Sequence, residues 1–293
     1  MKVGFVGLGR MGAAMALRIV EGGFDLTVYN RTRQKTEECE RAGARVASSV
    51  ADACSGCDVA ISMVANDAVL SEVTLGEGGI RESLAPGAIH LVMGTHGVAA
   101  IRALADAHAA AGQAMVAAPV LGRPEAVAAG ELGIVAAGPA EAVDRCRPLL
   151  DAVGRRTFDA GPRPEGATVI KLANNFALGC AIEAMGEAYS LARKYGVEPE
   201  VLYEVMTGGL FAAPAYKTYG KIIVEEAYDH VGFTSELALK DADLILEAGK
   251  LAGVPLPSVE LYRGRLLDVI ARGEGERDWA VLALEQARAS GLG

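Results

Sequence analysis

The first twenty residues constrain this chain more than any other stretch. Lys2-Val3-Gly4-Phe5-Val6 reads as a short buried strand that runs directly into Gly7-Leu8-Gly9-Arg10-Met11-Gly12. The residues beyond carry a helical spacing through Met11, Met15 and Ile19. A strand, a glycine turn and a helix form the context that a GxGxxG pattern needs for dinucleotide binding. Gly7 permits the tight turn, Gly9 lets the backbone approach a pyrophosphate, and Gly12 lets helix and strand pack closely. The helix start presents N–H groups and a positive dipole end to the phosphates. A lone GxGxxG is a weak signal, so the weight rests on the pattern in the next hundred residues.

There the same unit repeats. Strands are expected at Asp25–Tyr29, Arg45–Val46, Asp58–Val64, Ala88–Met93 and Gln113–Ala117. Helices are expected between them at Thr36–Ala42, Ser49–Cys54, Asp67–Leu75 and Val98–Ala111. This alternation predicts an α/β, Rossmann-type doubly wound domain with a parallel sheet. Ligands of such sheets bind off the carboxyl ends of the strands. Gly7 to Gly12, Asn30 to Thr32, Val64 and Ala65, Gly94 to Gly97 and the loop after Ala117 should therefore converge on one crevice. Thr95 and His96 become site candidates on that ground. The plain alternatives are a helix N-cap for Thr95 and a solvated loop residue for His96; the second is the reading preferred here for His96.

The end of the second strand bears on the cofactor. An NAD enzyme usually places Asp or Glu there for the adenine ribose hydroxyls. Asn30 stands at that point, followed by Arg31 and Thr32, and no acid occurs before Glu37. A guanidinium and a hydroxyl suit a ribose 2′-phosphate, so NADP(H) is expected over NAD(H).

Pro162-Arg163-Pro164-Glu165-Gly166 is the clearest boundary. It divides a dinucleotide-binding domain, 1–163, from an all-α domain, 164–293, that begins with a long interdomain helix over Ala167–Tyr195. Further helices are expected at Pro199–Met206, Ala215–Val224, Ser235–Ala252, Ser258–Ala271 and Trp279–Ala289. The long helix opens on Lys171, with Asn174 and Asn175 three and four residues later on the same face. An ammonium and two amides inside an apolar helix are costly to bury without partners. The stretch is either a solvated stripe or a catalytic lysine held by amides, and from its own residues the two weigh equally.

Composition narrows the function classes. A net charge of -9 gives no general attraction to nucleic acid or anionic membrane. No apolar run reaches membrane-span length. The chain starts on strand residues with no targeting segment before them, and its five cysteines are odd in number, so a reducing cytoplasm is expected. Cys54 and Cys57 have CxxC spacing but no redox context, and are read as plain thiols at a helix end. The four histidines show no metal-ligand spacing, and no metal site is expected.

Taken together, these motifs resemble the β-hydroxyacid dehydrogenases, which include 3-hydroxyisobutyrate dehydrogenase and NADPH-dependent glyoxylate/succinic semialdehyde reductases. The resemblance covers nearly the whole chain. Gly7-Leu8-Gly9-Arg10-Met11-Gly12 looks like the family's cofactor signature, and Asn30-Arg31-Thr32 like its NADP-preferring version. The resemblance implies that Lys171 is the catalytic lysine, that Asn175 orients the substrate, and that Thr95 contacts nicotinamide and substrate; Asn174, on the same helical face, is a further candidate for the substrate. It also implies that Lys240 of Lys240-Asp241 reaches the cofactor and that Phe233 lies over the site, while Val64 and Ala65 are cofactor candidates from their place at a strand end. Ala128 to Leu132, ending at Ala137-Gly138, matches the strand after the substrate loop. That loop departs from the family: Leu121 stands for a serine and Arg123 for a glycine, around Gly122. Leucine donates no hydrogen bond. Either Arg123 and backbone N–H groups bind a carboxylate there, or the substrate is larger and less polar; His96, where the family often has an aliphatic residue, points the same way.

The implied activity is NADP(H)-dependent hydride transfer to or from a small carbonyl or hydroxy-acid substrate, with Lys171 as general acid and base. The implied assembly is a homodimer or homotetramer. Two alternatives stand beside it: an imine reductase on the same scaffold, disfavoured by the lysine, and a dinucleotide-binding scaffold or sensor without turnover.

Overall fold

A computed structural model describes residues 1–292. The chain divides into two compact units, Met1–Lys171 and the remainder from Leu172. In the first unit, β1 (Lys2–Val6), α1 (Arg10–Glu21), β2 (Asp25–Tyr29), α2 (Glu37–Arg41), β3 (Arg45–Val46) and α3 (Val50–Cys54) alternate as expected. β4 (Val59–Ser62), α4 (Asp67–Leu75), α5 (Ile80–Ser83), β5 (Ile89–Val92), α6 (Val98–Ala110) and β6 (Ala114–Ala117) continue the pattern. All pairings are parallel and the strand order is β3-β2-β1-β4-β5-β6. β4 and β5 are buried along their whole length, as a sheet covered on both faces requires. The order reverses between β1 and β4, which is where ligands of open α/β sheets bind.

Among the remaining elements of this unit, only the strand Leu132–Ala136, expected after the substrate loop, was anticipated from the sequence. A 3₁₀ turn at Arg33–Thr36 precedes α2 where a single helix from Thr36 was expected. A second sheet, order β7-β8-β9, comes after β6: β7 (Val120–Leu121), α7 (Pro124–Ala128), β8 (Leu132–Ala136), α8 (Ala140–Val153) and β9 (Gly154–Asp159). Ala117 N–H donates to Ala137 O at 3.0 Å, so the end of β8 is tied to the end of β6. α8 is anchored on α1, where Arg18 Nε donates to Ala152 O at 3.2 Å.

A buried polar chain crosses this unit. Gln113 Nε2 donates to the carbonyls of Arg81 and Leu84 at 2.8 and 2.7 Å, which turns its Oε1 toward His108 Nδ1 at 2.7 Å. An amide oxygen only accepts, so His108 carries its proton on Nδ1 and accepts on Nε2 from His90 Nδ1, 2.9 Å away. His90 Nε2 in turn accepts from the Ser62 hydroxyl at 2.8 Å. Ser62, His90 and His108 are 0% exposed, so burial disfavours a charge on either ring, and the links are complete with both rings neutral. Burial, and for His90 also the neighbouring His108, lowers both pKa values below the ordinary 6.5. The unfolded chain then binds more protons than the folded one, so this contribution to stability is complete above pH 6.5 and is lost as pH falls below it. A pH series of urea unfolding midpoints is expected to fall below that point, by up to about 1.4 kcal/mol per pH unit for each histidine.

Cys54 and Cys57 are both buried; burial pushes the Cys57 thiol up to about 11 and Cys54 further still, so both stay protonated at neutral pH.

The second unit is helical. α9 (Glu165–Lys194) begins at the end of the first unit and continues into this one. α10 (Pro199–Gly208), α11 (Pro214–Val224), α12 (Ser235–Ala252) and α13 (Pro257–Ala271) come next, then a 3₁₀ turn at Trp279–Val281 and α14 (Leu282–Ala289). Proline at the first turn starts α10, α11 and α13 without losing a helical bond. The Thr234 hydroxyl caps α12 by accepting from Leu237 N–H. Gly186 lets the chain around Ala283 approach α9: a Cβ there would stand 2.8 Å from Ala283 Cα. No helix among the described residues is long and apolar enough to cross a membrane.

Candidate active site

The glycine turn is shaped by contacts that leave no choice of residue at two positions. Gly7 has φ +101°, and a Cβ there would lie 2.4 Å from Met63 O. A Cβ on Gly12 would lie 2.0 Å from Gly7 O, so α1 can pack on the turn only through glycine. At Gly9 a Cβ would meet nothing within 4 Å. Gly9 is the N-cap of α1, which has neither a side-chain cap nor an acid in its first turn. Its leading N–H groups therefore carry the anion-binding character of a helix N-terminus without a protein carboxylate beside them. This cradle fits a pyrophosphate.

Asn30 has a role that spacing alone did not show. Its Oδ1 accepts Leu8 N–H at 2.9 Å, and its Nδ2 donates to Thr32 O at 2.9 Å. One amide thus locks the glycine turn to the end of β2 and holds the Arg31-Thr32 turn. An aspartate could accept from Leu8 but could not donate to Thr32. Arg31 and Thr32 are exposed beside this lock, as is Arg10 at the start of α1.

The ends of β4 and β5 meet the same turn. Val64 Cγ1 lies 3.1 Å from a Cβ built on Gly7, and Val64 O lies 3.0 Å from one built on Gly94. Val64 is half-buried and Ala65 exposed. The glycine turn, Asn30 to Thr32, Val64-Ala65 and Gly94 to Gly97 are therefore brought together in the first unit. Thr95 is half-buried in the last of these segments.

His96 departs from its preferred reading: it is 1% exposed, not solvated. The reason is Asp67, at the start of α4. Asp67 Oδ1 accepts from His96 Nδ1 at 2.9 Å, and both carboxylate oxygens lie 3.1 Å from Gly97 N–H. The ring also fills the space beside Gly94, where a Cβ would stand 2.5 Å from Nε2. Asp67 was missed as a functional residue because an acid in a first helical turn has an ordinary explanation in the helix dipole.

The substrate-loop residues run from the end of β7 into α7. Leu121 is on β7, half-buried against Gly133 of β8; Gly122 has φ +147°; Arg123 is the N-cap of α7.

On α9, Lys171 is half-buried, Asn174 exposed and Asn175 7% exposed. Asn175 Nδ2 donates to Asp241 Oδ2 at 2.6 Å. That bond assigns the amide nitrogen to α12 and leaves the oxygen as the acceptor end; Asn174 Nδ2 lies 3.5 Å from it. Asp241 is 3% exposed, and its other oxygen lies 3.0 Å from Lys240 Nζ. That oxygen has no aligned hydrogen bond, so the Lys240 contact is an ion pair of charges in proximity rather than a directed bond. Lys240-Asp241 is therefore not a plain surface ion pair: the lysine is partly exposed, but the aspartate is buried and holds Asn175. Phe233 packs edge-on against Trp279, with ring centroids 5.3 Å apart, and its N–H lies 3.3 Å from Asp278 Oδ2.

Comparison with known proteins bears on the whole chain. Residues 2–161 match the family model described as the NAD binding domain of 6-phosphogluconate dehydrogenase. Residues 166–284 match the model described as the NAD-binding domain of NADP-dependent 3-hydroxyisobutyrate dehydrogenase. An uncharacterized oxidoreductase of Bacillus subtilis, YfjR, is 42% identical over 96% of this chain and 98% of its own. An NAD-dependent L-serine dehydrogenase of Pseudomonas aeruginosa is 34% identical, with 96% of each chain covered. Among solved structures, a 3-hydroxyisobutyrate dehydrogenase of Mycobacterium tuberculosis with L-serine has the same fold: TM-score 0.89, 22% identity, 97% of this chain and 98% of that one.

Proposed function

We propose, from the premise that this chain belongs to the β-hydroxyacid dehydrogenase family of NAD(P)-dependent oxidoreductases, that it interconverts a small β-hydroxy acid or related alcohol and its carbonyl form with NADP(H). The observation that carries the proposal is the pairing of Asn175 with buried Asp241, one helical turn from Lys171. A plain surface stripe would need no such anchor, whereas an amide that must present its oxygen in a fixed direction does.

When bound, the nicotinamide supplies or takes up the hydride. The chain's own residues do the rest. In reduction Lys171, as ammonium, gives a proton to the carbonyl oxygen as that oxygen becomes a hydroxyl; in oxidation neutral Lys171 takes the hydroxyl proton back. Asn175, held by one amide N–H on Asp241, presents its oxygen to accept from the substrate or from the amine and keeps the two in line; Asn174 assists. Thr95 is assigned to the nicotinamide and the substrate, on a segment that Asp67 and His96 hold in shape. Gly7 to Gly12 take the pyrophosphate, Val64 and Ala65 border the cofactor, and Lys240 is assigned to it by family resemblance. Leu121, Gly122, Arg123 and Phe233 are assigned to the substrate; Arg123 replaces the hydrogen-bonding side chain that Leu121 cannot supply.

The NADP(H) preference rests on Arg31 and Thr32 beside the Asn30 lock. Arg31→Ala is expected to raise the KM for NADPH by roughly 10–100-fold, the worth of a lost charge-assisted contact, with little change for NADH. Equal kcat/KM values for the two cofactors, unchanged in that variant, would refute the preference. The substrate class is tested by NADPH oxidation against glyoxylate, succinic, tartronate and methylmalonate semialdehydes, larger aldehydes and cyclic imines. Turnover of the imines alone would replace carbonyl reduction with imine reduction.

A further inference from the structure

The second unit holds a partly open cavity of about 320 Å³ that no residue of the proposed catalytic or cofactor set lines. It is formed by the later turns of α9, the entry to α10, the end of α11 and α14. Its size is at the small end of ligand pockets, which run from about 300 to 1,000 Å³.

Three hydroxyl-bearing side chains line it although they are almost wholly buried: Tyr189 at 3%, Ser190 at 4% and Tyr228 at 2% exposure. No hydrogen bond among the described residues uses any of the three hydroxyls. The three oxygens are not among the sealed-off polar atoms, so water or a ligand in the cavity reaches them and supplies the partner that the protein does not. Burial pushes the Tyr189 hydroxyl up to about 12 and raises Tyr228 as well, so both stay protonated and remain donors.

The charges lining the cavity have both signs. Arg193 comes from α9, Glu198 and Glu200 from the entry to α10, and Glu226 from beyond α11. Arg193 lies 3.9 Å from Glu226, the loose end of the ion-pair range. Glu226 is also the one non-glycine residue among the described residues with positive φ, at 48°. Backbone strain of this kind persists where the surroundings fix it, and it collects at ligand sites. Ile223, Val224 and Leu284 supply an apolar wall.

We propose that this cavity is a second small-molecule site, for an α-amino acid with a short branched apolar side chain, taken as the zwitterion. Arg193, Ser190 and Tyr228 would meet the carboxylate, Glu198 and Glu200 the ammonium, and Ile223, Val224 and Leu284 the side chain. A carboxylic acid alone would meet three carboxylates with one guanidinium to offset them. An amine alone would be repelled by Arg193 and would leave the lining hydroxyls without an acceptor. A ligand carrying both charges satisfies both sets.

The test is calorimetric titration of the full chain with L-valine and L-leucine, alongside isobutylamine and isovalerate as single-charge controls. Neither amino acid has a hydroxyl to oxidise, so binding is not turnover. One saturable site per chain is expected, with either control at least about tenfold weaker. Arg193→Met and Glu200→Gln are each expected to weaken binding by about tenfold or more while NADPH oxidation is unchanged. Glu200 is exposed, so its variant keeps the test informative if Arg193→Met fails to fold. No saturable binding of either amino acid at millimolar concentration, or binding that both variants leave unchanged, would overturn the proposal and leave the cavity to solvent.

Discussion

Lys171→Ala is expected to lower kcat for carbonyl reduction by about 10²–10⁴-fold, the contribution of a positioned general acid, while the Kd for NADPH stays near that of the parent enzyme. On the barrier this is roughly 3–5 kcal/mol. The two readouts separate roles that one would merge. A lysine that only packed α9 would cost stability and leave turnover per folded molecule intact. A lysine that held the cofactor would move Kd. A proton donor moves kcat, and an added primary amine should restore part of it. Stopped-flow measurement of a single turnover, beside a fluorescence titration of NADPH, gives both numbers on one preparation.

Gly12→Ala carries the other large effect, and its cause is wholly in the backbone. The new methyl would stand 2.0 Å from Gly7 O, and neither that carbonyl nor α1 has a flexible end to yield. Relief requires α1 to lift from the turn by an ångström or more. A displacement of that size at a phosphate cradle is expected to weaken NADPH binding by about 100-fold. Overpacking should also lower stability by about 1–3 kcal/mol. Gly9→Ala is the matched control, since a Cβ there meets no protein atom. Its folding should be near that of the parent, so any loss it shows belongs to the cofactor. Thermal unfolding with and without NADPH distinguishes the two variants.

The parts of this molecule that were legible in the sequence are those set by local periodicity and by glycine. The six parallel strands arise from short buried runs separated by helical spacings, and β4 and β5 stand within a residue or two of where Asp58–Val64 and Ala88–Met93 placed them. The long helix starts within two residues of its expected position, because Pro162 to Gly166 ends one pattern as sharply as the next begins. The second sheet was only partly legible. β7 has two residues and β9 alternates poorly, with exposed arginines at 155 and 156, so neither shows a strand's period. Both are fixed by pairing to β8, a contact between segments that spacing does not report.

Around the candidate site the same division holds. The glycine pattern announced the turn, but not that Asn30 is the bolt across it, since a bond over twenty-two residues leaves no mark in local spacing. His96 was read as a solvated loop residue; Asp67, twenty-nine residues earlier, is what draws it inside. Asn175 was singled out with Lys171, yet its anchor sits sixty-six residues later on another helix. In each case the residue was visible and the partner that fixes its direction was not. The departures at Leu121 and Arg123 lie at the end of β7 and the start of α7, so the part of the chain least legible in sequence is also the part assigned to substrate choice.

The central claim is hydride transfer from NADPH to a carbonyl carbon, and isotope transfer tests it most directly. The enzyme should be incubated with NADPH carrying deuterium at one or the other face of nicotinamide C4, together with the carbonyl panel, and the products read by mass spectrometry. One deuterium is expected on the carbinol carbon of the accepted substrate, from one face of the cofactor only, with near-absence on the same timescale in Lys171→Ala. Tight NADPH binding with no deuterium in any product, from either face, would contradict that claim.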